Sequence, residues 1–187
     1  REIMLSAAYR QSSRPREDGA QADPSNRLLW RMNPRRLDIE AYRDSLLQSA
    51  GSLSTETGGP SADLDAADNF RRTVYGKVSR SRLNPLLRLY DLADPTQHSP
   101  LREVTTTPLQ QLFVMNSSFM EDQAAALVKS VAAEPDQKAK VSAMHRKVLA
   151  RDPTVKELEL SASYLDGGSL EDFAHAMLSE NEVIFLQ

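Results

Sequence analysis

Four short signals divide this chain: Asn33-Pro34, Asn84-Pro85, Thr107-Pro108 and Thr154-x-x-Glu157. Asn and Thr side chains accept hydrogen bonds from the free N–H groups that open a helix. Proline at the first helical position loses an N–H with no partner, and a glutamate three residues on closes a capping box. Apolar residues then recur at helical spacing. They are Ile39, Tyr42, Leu46 and Ala50 after the first signal, and Leu86, Leu87, Leu89 and Tyr90 after the second. Leu109, Leu112, Phe113 and Met115 follow the third, then Met120, Ala124, Leu127 and Val131, and then Val141, Met144 and Val148. Leu158, Ala162 and Leu165 follow the capping box, and Ser169 caps Leu170, Phe173, Ala174, Met177 and Leu178. Gly51 and Gly167-Gly168 suit the left-handed residues that end helices.

Only Thr73–Ser79 has strand character, and since a lone strand cannot satisfy its own edges, an extended segment or a small hairpin is expected there. The predicted class is therefore all-α: an irregular multi-helix bundle of about seven helices with long loops and at most one short strand or hairpin. Arg1–Ser12 reads as the tail of a helix and Ser13–Ser25 as a polar loop. Ser52–Asn69, with Gly58-Gly59-Pro60 and four acidic residues, is the expected mobile loop near 52–69. A connection of that length argues against a simple up-and-down bundle. Val183–Leu186 is apolar and expected to pack onto the core.

Composition removes several function classes. With 40% hydrophobic and 26% charged residues, the 187-residue chain can bury a core. A formal net charge of -3 argues against a nucleic-acid partner. No apolar run reaches the roughly 20 residues of a membrane span. The absence of cysteine excludes disulfides, thiol catalysis and covalent haem attachment within the chain. His98, His145 and His175 lie far apart without metal-binding spacing. Asp63, Asp65 and Asp68 imitate a calcium loop, but Ala67, Asp68 and Val74 occupy positions that need a ligand, a glycine and a bidentate glutamate. No nucleophile elbow, phosphate loop or dinucleotide fingerprint is present. No metal and no cofactor is therefore expected in this chain. Asn116-Ser117-Ser118 is formally a glycosylation sequon, but at a helix junction it reads as a cap.

Arginine is the unusual feature. Seventeen of the 23 basic residues are Arg, and 15 of those precede residue 103. Arg71, Arg72, Lys77, Arg80, Arg82 and Arg88 follow one another with no acidic residue between Arg71 and Tyr90. Arg27 and Arg31 flank Trp30, the only tryptophan. The binding candidates are Arg27, Trp30, Arg31, Arg71, Arg72, Tyr75, Arg80 and Arg82. They would form a planar-fork surface for carboxylate, phosphate or sulfate groups, with the aromatic rings as stacking partners. The competing reading is internal pairing, since residues 111–187 carry 7 basic and 12 acidic side chains and complement the arginine-rich half. Both readings remain open at this point.

Five strings carry a family resemblance: NRLLWRMNPRRLDIEAYRDSLL from Asn26, RRTVYGKVSRSR from Arg71, LYDLADP from Leu89, REVTTTPLQQLFVMNSSF from Arg102, and the ending HAMLSENEVIFL. In that order they resemble the planctomycete-type PSD domain of unknown function. The resemblance implies a single all-helical domain over 1–187 that forms the C-terminal part of a larger one. It also implies an exported protein, periplasmic or extracellular, whose upstream domains include c-type cytochrome modules. The loop Thr96–Glu103 lacks a cysteine that many relatives place there, so no thiol role carries over. The resulting expectation is a non-enzymatic interaction or scaffold module, with the upstream domains of the same protein or an anionic polysaccharide as partner. The alternatives are an accessory part of a polysaccharide-acting enzyme, using Asp38, Glu40, Asp44, Asp91 or Asp94, and a docking partner of a cytochrome domain.

Overall fold

The computed structural model describes residues 1–186 and is mostly helical. In order, the helices are α1 Glu2–Leu5, α2 Glu17–Ala22, α3 Ile39–Ala50, α4 Pro85–Leu89, α5 Pro108–Asn116, α6 Ser118–Ser130, α7 Gln137–Leu149, α8 Val155–Leu165, α9 Leu170–Leu178 and α10 Asn181–Ile184. Two short strands, β1 Arg35–Arg36 and β2 Phe185–Leu186, pair antiparallel and join distant parts of the chain. No described helix is long and apolar enough to cross a membrane.

The core is built by the predicted faces. α3 contributes Ile39, Tyr42 and Leu46, and α6 contributes Met120, Ala124, Leu127 and, just past its end, Val131; all seven are at most 2% exposed. α6 packs on both α3 and α9, α7 closes against α3 and α9, and α8 lies outside on α7 and α9. α9 inserts Ala174, Met177 and Leu178. Of the apolar end, Val183 is buried and Ile184 packs against the core as expected, whereas Leu186 is 47% exposed.

Most of the helix-start chemistry is realised. Asn84 accepts from the Leu86 and Leu87 amides, and Ser169 from Glu171 and Asp172. Thr154 and Glu157 form a reciprocal capping box. Ser117 caps α6 through the Met120 amide, the role expected of the sequon-like segment. Gly51 ends α3 at φ +76°, where a side chain would be strained.

Three local expectations are corrected. Asn33-Pro34 does not open α3; the helix starts at Ile39, because Arg35 and Arg36 are extended against Leu186 and Phe185. Thr73–Ser79 is not a strand: Thr73–Tyr75 is a 3-10 turn, and Gly76 makes only an isolated bridge to Ala62. On α5 the apolar positions face outward, with Leu109 63%, Leu112 52% and Met115 64% exposed, while Gln110 and Val114 point inward. Gln110 is drawn in by its hydrogen bonds to Leu89 and Thr107. In addition, α2 forms inside the Ser13–Ser25 segment read as loop.

Candidate functional site

Arg36 leaves β1 toward the interior, where its side chain is 5% exposed. One terminal nitrogen donates to Asp91 Oδ2 at 2.6 Å, and the other donates to the Thr105 carbonyl and to Gln110 Oε1. Asp91, held in the left-handed region at φ +64°, also accepts from the Thr105 amide and hydroxyl. Burial alone would raise the Asp91 carboxyl; the Thr105 and Arg36 hydrogen bonds outweigh it and hold it below the usual carboxylate range. The guanidinium also lies over Tyr90, whose hydroxyl burial pushes up to about 12. Nearby, Arg102 grips both oxygens of Glu40 at 2.8 Å and lowers its pKa.

A second junction joins α3 to the turn at Thr73. Asp44 accepts from the Thr73 amide and hydroxyl, both at 2.7 Å, and faces Arg72 at 3.6 Å. Arg43 is 2% exposed and donates to the Asn69 carbonyl at 2.7 Å, the Arg71 carbonyl at 3.1 Å and the Thr73 hydroxyl at 3.3 Å. No carboxylate lies within ion-pair distance of it among the described residues. Burial pushes its pKa down while Asp44 and Asp65 pull the other way. Its guanidinium also lies 5.5 Å from the Phe119 ring centre.

Arg43 lines a cleft of about 650 Å³ between α3, the start of α6 and the segment 64–70. Gln123 of α6 lines it too and is 3% exposed. Gln123 Oε1 and Arg43 Nε are both buried without a hydrogen-bond partner. Phe113 and Phe119, stacked 6.4 Å apart, supply apolar wall. Exposed Asp65 and Asp122 complete it. Among the described residues no cluster of three or more His, Asp or Glu could hold a metal ion.

A family model described as PSD1, protein of unknown function (DUF1553), matches residues 1–165. The chain belongs to the PSD1 family. No curated protein and no solved structure matches it. In this PSD1 domain the strings that carried the resemblance converge in space. Arg36, Asp91 and Thr105 come from three of them, and Arg43 with Thr73 joins two.

Several binding candidates of the PSD1 chain have their own local partners. Trp30 donates to the Asp23 carbonyl and rests on Gly19, with Arg31 5.3 Å from its ring centre; Arg27 is exposed. Arg71 stacks 4.2 Å from the Tyr75 ring centre and donates to the Gly58 and Pro60 carbonyls, binding the 52–69 segment to the turn. Arg72 faces Asp44, while Arg80 and Arg82 are exposed. Among the described residues no ion pair joins the arginine-rich half to residues 111–187, the pairing that their charges suggested. Arg36, Arg72 and Arg102 find acids before residue 111, and Glu157 and Glu182 are held by Arg151. Sequence reasoning missed Arg36, Arg43 and Gln123 as site-forming residues. The one available signal was Arg43, which falls at helical spacing from Ile39, Leu46 and Ala50 on the apolar face of α3.

Proposed function

We propose that this PSD1 domain is a non-enzymatic interaction module of a larger exported protein, docking a neighbouring protein segment through α5. The observation that carries the reading is apolar exposure. Leu109, Leu112 and Met115 of α5, together with Leu101 and Val104 just before it, are each more than half exposed. Leu109 and Leu112 border a groove with Leu86, Leu89 and Phe113. Contiguous apolar surface of this kind marks a place where another surface sits. The carboxylates favour the same side of the argument. Glu40 and Asp91, two of the acids an enzyme reading would use, have lowered pKa values and arginine partners, whereas a general acid needs a raised one.

Hydrogen exchange on the full-length parent protein and on this domain alone tests the proposal. Amides of residues 109–116 should exchange at least ten-fold more slowly in the parent, and Leu109→Asp with Leu112→Asp should abolish that difference. Equal exchange in both proteins would refute it.

A further inference from the structure

Two residues that line the 650 Å³ cleft, Arg43 and Gln123, each carry a buried polar atom without a hydrogen-bond partner. Arg43 Nε needs an acceptor, and its charge has no ion-pair partner among the described residues. Gln123 Oε1 needs a donor. Buried polar groups without partners are uncommon in folded proteins, and each costs about 1–3 kcal/mol. Two such groups lining one cleft satisfy a ligand better than they satisfy the fold.

The walls narrow the chemistry. The acceptor for Arg43 is best an anion, because a charged pair adds strength to the hydrogen bond. The first turn of α6, a 13-residue helix, borders the same cleft at Ser118 and Phe119 and favours negative charge at its N-terminus. Asp65 and Asp122 line it as well, so a ligand with several negative charges is disfavoured. The donor for Gln123 and for these carboxylates is best a hydroxyl. Phe113 and Phe119 offer faces for an apolar body.

The geometry points to a binding site for a hydroxy carboxylic acid: one carboxylate directed at Arg43, a hydroxyl donating to Gln123, and the carbon frame against Phe113 and Phe119. A uronic sugar and an aromatic hydroxy acid share this chemistry, and matched probes separate them. The cleft shares Phe113 and Leu86 with the groove beside α5, but small-molecule binding reads the cleft and hydrogen exchange reads the docking face, so failure of either is told apart from failure of the other.

Ligand-observed NMR with four probes tests it: glucuronate, 3-phenyllactate, glucose (no carboxylate) and 3-phenylpropionate (no hydroxyl). At least one hydroxy acid should bind about ten-fold more tightly than its matched control, the value of one charge-assisted hydrogen bond. Binding of glucuronate alone identifies the sugar form, and of phenyllactate alone the aromatic form. Gln123→Leu should weaken the preferred probe about five-fold without lowering the thermal midpoint, since it removes an unsatisfied buried oxygen. Arg43→Lys should abolish binding, because ammonium lacks the Nε donor. The inference is overturned if no probe binds the wild type, if each control binds as well as its hydroxy acid, or if Gln123→Leu leaves affinity unchanged.

Discussion

Arg36 and Asp91, 55 positions apart in sequence, meet at 2.6 Å with Thr105 clasping the same carboxylate. The pair sits where β1, α4 and the segment before α5 come together. Its two partners are unequal, since the Arg36 side chain is 5% exposed and the Asp91 side chain 16%.

Removing the carboxylate should therefore be costly. Asp91→Ala leaves a buried guanidinium without its counter-charge, and a loss of about 3–5 kcal/mol is expected. Arg36→Met, which fills much of the same space and removes the charge, should cost less. Urea unfolding of both variants checks the order.

Acid should weaken the cluster around Arg151. Arg151 donates to Glu157 and Glu182, and these hydrogen bonds lower both carboxyl pKa values against the opposing effect of burial. A carboxyl with a depressed folded-state pKa stabilises the fold above its unfolded value of about 4.3, and that contribution drains away as pH falls below it. The urea midpoint should drop between about pH 5 and pH 2. Arg151→Met should flatten that dependence, and an unchanged slope would remove Arg151 as its cause.

Gly19 lies inside α2 because the Trp30 ring covers it. A Cβ there would come within 2.5 Å of Trp30 Cδ2. Gly19→Ala should displace the ring, break its hydrogen bond to the Asp23 carbonyl and separate it from Arg31. Trp30 is the only tryptophan, so its emission should shift to the red. Unshifted emission would place the strain elsewhere.

One substitution should strengthen the protein. Ala150 ends α7 in the left-handed region at φ +54°, a conformation that costs a side-chain-bearing residue about 1–2 kcal/mol. Ala150→Gly should stabilise by about 0.5–1 kcal/mol in urea unfolding, after the entropy of glycine in the unfolded chain is subtracted.

Much of this architecture was legible in the sequence because helix starts and apolar spacing are local properties. The buried faces of α3 and α6 follow their patterns residue by residue. Where distant segments decide, local signals fail. Asn33-Pro34 has the chemistry of a helix start, yet Phe185–Leu186 pairs with the following residues and keeps them extended. Leu109, Leu112 and Met115 look like a core face, but Gln110 is claimed by Leu89 and Thr107 and turns the helix around. The site was less legible. Arginine clustering in the sequence left an exposed surface and internal ion pairing both open, whereas Arg36 and Arg43 act singly, each through backbone carbonyls and side chains 26 to 74 positions away. Gln123 carries no sequence signal, since one glutamine on an amphipathic helix is ordinary.

The pairing of β1 with β2 imposes an order on synthesis. Ile184 and Phe185 line the same crevice as Arg36, Tyr42, Tyr90 and Gln110. On the ribosome, residues 35–36 emerge long before 185–186, so the nascent chain carries the Arg36 guanidinium in an unfinished crevice while most of the helices are being made. The last turn of the fold closes only after translation has passed α10, and a nascent chain stalled before α10 would leave this charge exposed to solvent and to chaperones.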